Sequence, residues 1–65
     1  MIELLQRLVR AVDAESTLRE RKAAAYREFG AGRVEKHVLA KAGSEHRHAK
    51  AQLDETLRLA REAAR

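Results

Sequence analysis

Gly30-Ala31-Gly32 is the one break in a chain otherwise written in helix formers. No proline occurs, and the third glycine, Gly43, stands alone. On either side of the triplet the sequence is dominated by Ala, Leu, Arg, Glu and Lys, which give up little side-chain freedom in a helix. A glycine just past a helix end adopts the left-handed cap conformation without steric cost. The triplet therefore predicts a turn at 30–32, helix 1 at about 2–29 and helix 2 at about 33–63. With no internal repeat and no low-complexity linker, residues 1–65 read as a single all-α domain, an antiparallel two-helix hairpin.

A hairpin of 65 residues encloses no interior. Chains this small are held by disulfides, by a metal or by a partner. The sequence has no cysteine, which removes disulfides and thiolate metal sites together. What remains is association with a second copy, a metal held by other ligands, or both. The expected assembly is a homodimer forming a four-helix bundle, or a higher even-numbered oligomer. No apolar run approaches the ~20 residues that span a bilayer. The opening MIELLQRLVR carries Glu3 early and lacks the layout of an export signal, so the expected location is the cytoplasm.

The charge balance is 14 basic against 10 acidic residues, a net +4. Basic and acidic residues are interleaved, as in LRERKAAAYRE, which reads as solvated helix surface more than as a nucleic-acid face.

On a wheel of 100° per residue, Met1, Leu4, Leu5, Leu8, Val12, Tyr26 and Phe29 share one face of helix 1, with Glu15 at its centre and Arg19 and Lys22 toward its edges. In helix 2 the apolar arc takes Val34, Val38, Ala42, Ala49, Leu53, Leu57 and Ala60. Glu45 falls inside that arc, His48 at one border and His46 near the other. Folding at Ala31 brings Glu15, Glu45 and His48 to nearly the same height, because they stand 16, 14 and 17 residues from it. Glu45 and His48 are i and i+3 and project from one side. Two copies related by a two-fold axis would gather four carboxylates and two imidazoles. A Glu from each of two helices with a Glu-x-x-His from each of the other two is the ligand set of di-iron and di-manganese carboxylate bundles.

The segment EHRHAKAQLDETL resembles the Glu-x-x-His helix of the ferritin-like superfamily, which includes rubrerythrins and bacterioferritins. It is most similar to the encapsulated ferritins, whose subunit is a helical hairpin and whose ferroxidase centre is completed at a subunit interface. The 30-residue gap from Glu15 to Glu45 matches that pattern. The resemblance implies Glu15 as the helix-1 ligand, Glu45 as the bridging carboxylate and His48 as the terminal imidazole. It implies iron as cofactor, with manganese or zinc as alternatives, and ferroxidase or peroxide-reducing activity. It also implies a protein shell as a partner, although no targeting tail follows Arg65. One heptad after Glu15, where many relatives carry tyrosine, this sequence has Lys22.

Other readings of the same residues stay open. Glu15 has Arg19 at i+4 and Lys22 nearby as ion-pair partners, and such a pair would set register. Glu45 and His48 also read as a surface hydrogen-bonded pair. His46 reads as a histidine at the edge of the core and His37 as solvent-facing. The alternative function is a non-enzymatic basic hairpin dimer that binds nucleic acid or a protein partner through Arg7, Arg10, Arg21 and Arg27.

Overall fold

The computed structural model describes residues 2–65. Met1, which the wheel assigns to the apolar face of helix 1, lies outside the described residues. Helix α1 spans Ile2–Gly30 and helix α2 spans Lys36–Ala63, and the two pack against each other along their lengths. The hairpin is a rod of 49 × 14 × 13 Å. A helix of 29 residues at ~1.5 Å per residue accounts for about 44 Å of the long dimension, and the turn extends beyond its end.

The turn is built on Gly32 rather than on the whole triplet. Gly30 is the last residue of α1, and Gly32 alone has a left-handed backbone, with φ of +74°. Around it the Arg33 N–H donates to the Glu28 carbonyl at 2.9 Å and the Gly32 N–H to the Phe29 carbonyl at 3.0 Å. These are the two crossed bonds of a Schellman cap, with Gly32 in the position that must be left-handed. Outside the backbone pattern, Arg33 also pairs with the Glu28 carboxylate at 3.3 Å.

Helix α2 begins at Lys36, three residues later than the sequence predicts. The cap consumes the Arg33 N–H, so the chain leaves the turn extended. Glu35 sits at the N-cap with φ −85° and ψ 160°, but its carboxylate makes no cap bond and pairs instead with His37 Nδ1 at 3.2 Å. Val34 is therefore not part of the helix.

The packed faces follow a 4-3 spacing. Along α1 the half-buried positions include Leu4, Leu8, Ala11, Glu15, Leu18, Lys22 and Ala25. Along α2 the matching positions are Leu39, Ala42, His46, Ala49, Leu53, Thr56 and Ala60. This is the repeat of a coiled-coil seam. Many seam residues are alanine, so little side chain goes into the interface. Among the described residues only Gly43, Ala49 and Thr56 are buried, and Ala49 at 5% exposure is the one buried apolar side chain. Thr56 satisfies its own hydroxyl by donating to the Gln52 carbonyl one turn back, at 2.8 Å. The leucines keep part of their surface in water. They therefore realise only a fraction of the roughly 1.5–3 kcal/mol that full burial of such a side chain provides.

The glycines respond differently to substitution. Gly32→Ala forces a Cβ into the left-handed region and is expected to cost about 1–2 kcal/mol. Gly30→Ala is helical, meets nothing within 4 Å and is expected to gain about 0.5–1 kcal/mol. A Cβ on Gly43 would meet only the movable Arg47 Nη1 at 3.7 Å, so nothing within the hairpin demands glycine there. Thermal melts at matched protein concentration should order the variants Gly30→Ala, parent, Gly32→Ala from most to least stable.

Candidate functional site

The polar groups at mid-height occupy one layer, as the count from Ala31 predicts, but a different histidine faces Glu15. His46 Nε2 donates to Glu15 Oε1 at 3.4 Å across the seam, and both side chains are 14% exposed. Arg19, one turn on in α1 and mostly in water, approaches the same carboxylate oxygen at 3.7 Å. Both contacts fall on the same carboxylate oxygen, and only the imidazole lies within hydrogen-bond distance of it.

Glu45 and His48 lie on the exposed flank of α2, outside the seam. Nε2 of His48 accepts a hydrogen bond from the Gln52 side-chain amide at 3.2 Å, which engages the lone pair a metal would use. Within one chain the three ligands expected from the sequence do not converge on a point. Among the described residues no group of three or more His, Asp or Glu side chains is placed to hold a metal ion. Carboxylate and imidazole are suitable donors for iron. Their placement in a single hairpin does not fit a metal centre.

The difference is one of rotation, and its cause is specific. Val34 and Val38 pull the predicted arc of helix 2 toward Glu45. In the structure Val34 precedes the helix, Val38 is exposed, and Leu39 takes the seam position. Turning the arc by one residue replaces Glu45 with His46. The wheel itself adds to the error, since a straight helix drifts by about 20° per heptad from a 3.5-residue repeat.

Two grooves flank the seam on opposite sides. One is lined by Arg7, Arg10, Ala11 and Ala14 of α1 with Gln52, Glu55 and Thr56 of α2. Here the Arg58 guanidinium hydrogen-bonds Glu55 and, with its charge, holds that carboxyl below its ordinary range, with a smaller contribution from Arg7. Arg58 also binds Glu62 at 2.7 Å. The other groove is lined by Lys22, Tyr26, Lys36, Leu39, Ala40, Gly43 and Arg47. Lys22 is half-buried on this side and makes no ion pair among the described residues.

The feature that sequence reading missed is a second apolar stripe. Ile2, Leu5, Val9 and Val12 are all exposed and spaced 3-4-3, offset by one residue from the seam. Val9 alone keeps 52% of its surface. Continued by the same spacing, the stripe passes Ser16, Arg19 and Ala23 to Tyr26. The wheel merged it with the seam into one broad face. The signal that separates them is the strict 4-3 series beginning at Leu4, which admits Ala11 and Ala25 and leaves Leu5 and Val12 out.

Comparison with family models, with curated proteins and with solved structures finds no match to this chain. No helix is long and apolar enough to cross a membrane among the described residues.

Proposed function

We propose that this chain is an interaction module, a basic helical hairpin that pairs with a second copy of itself to complete a four-helix bundle and has no chemistry of its own. One observation carries the reading. Of the seven large apolar residues left exposed among the described residues, six lie on α1 and only Val38 on α2. A hairpin with so little buried surface needs a partner for stability, and α1 presents the apolar face such a partner would cover. The interleaving of acids with bases along the chain argues for a protein partner ahead of a nucleic acid. Arg19, Arg33 and Arg58 are engaged by acids of the chain itself. Light scattering coupled to gel filtration is expected to give a helical species of twice 7.4 kDa or an even multiple of it. A folded, cooperatively melting species of 7.4 kDa overturns the reading.

A di-iron carboxylate centre at a subunit interface, with ferroxidase or peroxide-reducing activity, is the second reading. What favours it is the layer itself, since Glu15, Glu45 and His48 stand at one level of the rod, the level marked by the Glu15–His46 contact. It requires association through the other side of the hairpin. In an antiparallel pair, residues one before the seam positions share one side and residues one after share the other. Glu45 and His48 precede His46 and Ala49, whereas Leu5, Val9 and Val12 follow Leu4, Leu8 and Ala11. Metal content therefore separates the readings. Protein purified without affinity tags or chelators is expected to carry well under one metal ion per dimer. Stoichiometric iron, lost in His48→Ala and kept in His46→Ala, would replace the module by the di-iron protein.

A further inference from the structure

Lys22, Lys36 and Arg47 share one groove near the turn end of the rod, with Tyr26, Leu39 and Gly43 among its other walls. No acid lines it. None of the three cations makes an ion pair among the described residues, whereas Arg19, Arg33 and Arg58 each have a carboxylate. The groove of Arg7 and Arg10, on the opposite side, contains its own acid, Glu55. A cleft lined by charges of one sign focuses its field on an incoming counter-ion.

The floor of this groove is a glycine that the hairpin itself does not need. Gly43 is buried and stands inside α2, where glycine is less favourable than alanine. A Cβ built there would meet only Arg47 Nη1, at 3.7 Å. The room that a Cβ would take is therefore room in the groove, beside a guanidinium. Leaving it empty lets a ligand approach the helix backbone closely.

The geometry points to this groove as a binding site for a small polyphosphate ester, of the nucleoside triphosphate kind. Three cations exceed what a single carboxylate would answer. A polyphosphate supplies several charged oxygens, to which ammonium groups bind as point charges and a guanidinium binds as a two-pronged fork. Tyr26, 55% exposed, and Leu39 supply an apolar wall for the organic part. The groove's volume of about 310 Å³ is at the lower end of small-molecule sites. A nucleic acid strand would need a longer basic track. On α1 this flank instead runs past Arg19, which Glu15 engages, into exposed Val12, Val9 and Leu5. The site goes beyond the pairing proposed above and does not depend on it.

Calorimetric titration of the full chain tests this, with inorganic triphosphate and a nucleoside triphosphate as probes, both free of divalent metal. Each is expected to bind once per chain, the nucleotide more tightly. Lys22→Gln with Arg47→Gln should weaken both by about tenfold or more. Arg7→Gln with Arg10→Gln removes the same charge from the other groove and should change neither. Tyr26→Leu should lose the nucleotide's advantage and keep the inorganic probe. Gly43→Ala separates a shaped site from a charged surface, because it leaves every cation in place. It should bind both probes several-fold more weakly while melting at or above the parent's temperature. Ala40→Leu, which fills the same groove from an exposed position, should act alike. Unchanged affinity in both Gly43→Ala and Ala40→Leu overturns the site, as do equal losses from the two double variants. So does binding of a single-stranded oligonucleotide or of anionic vesicles by a chain that takes neither triphosphate.

Discussion

Val9→Glu combined with Val12→Glu is expected to abolish folding as well as association. Each valine still has about half of its surface to bury, so association gains roughly half of the 1.5–3 kcal/mol of full burial from it, and the dimer has two copies of each. A micromolar dimer is held by about 8 kcal/mol; losing the four valines removes roughly 3–6 kcal/mol of it, and four unpaired carboxylates in the contact cost several kcal/mol more, which together exceed what holds it together. Among its described residues the released hairpin has one buried apolar side chain, Ala49, and cannot offset the ~1–2 kcal/mol per residue of backbone ordering. Circular dichroism should show most of the helical signal lost at micromolar concentration and no cooperative melt. Thr17→Glu changes an exposed position on the same helix, away from the stripe, and should leave assembly and melting near those of the parent. If the double variant keeps its dimer and its melting temperature, the α1 stripe is not the contact surface.

The hairpin itself was legible because its determinants are local. Absence of proline, two long runs of helix formers and one glycine-rich break leave few alternatives, and Gly32 does at the turn what such a glycine must. The height of the polar layer was legible too, since rise per residue is nearly invariant. Helix rotation was not. It depends on which of several apolar residues enter the seam, and here the larger ones mislead. Val34 and Val38 look like core and are not, whereas Ala11, Ala25 and Ala42 look neutral and occupy the seam. When alanines fill a coiled-coil interface, hydrophobicity summed around a wheel favours the bulkier neighbouring stripe. Spacing is then the better guide than side-chain size. The candidate site inherits this difficulty, because one residue of rotation exchanges Glu45 for His46 opposite Glu15.

The Glu15–His46 layer should cost stability while it fixes alignment. Replacing both residues by leucine is expected to stabilise the protein by about 1–4 kcal/mol, the range found when paired polar groups give way to packed apolar ones. For a chain this short each kcal/mol corresponds to roughly 4–8 °C in melting temperature. His46→Leu alone should go the other way, by about 1–3 kcal/mol, because it strips a carboxylate at 14% exposure of its imidazole and leaves only the long Arg19 contact. The cycle isolates the coupling between the two groups. Among the described residues, Glu15 and His46 are the one hydrogen-bonded polar pair that spans the seam, near the midpoint of each helix. A shift of one heptad in α1 against α2 would set Glu15 beside Leu39 or Leu53 and part it from His46, whereas the apolar positions tolerate the shift. The leucine variant should therefore melt higher and yet lose uniqueness, seen as broadened amide resonances or as mixed oligomers in gel filtration. A double variant less stable than the parent would mean that Glu15 has a partner beyond His46 and Arg19. In that case a rise in the parent's melting temperature on adding Fe(II), absent from the variant, would identify that partner as a metal.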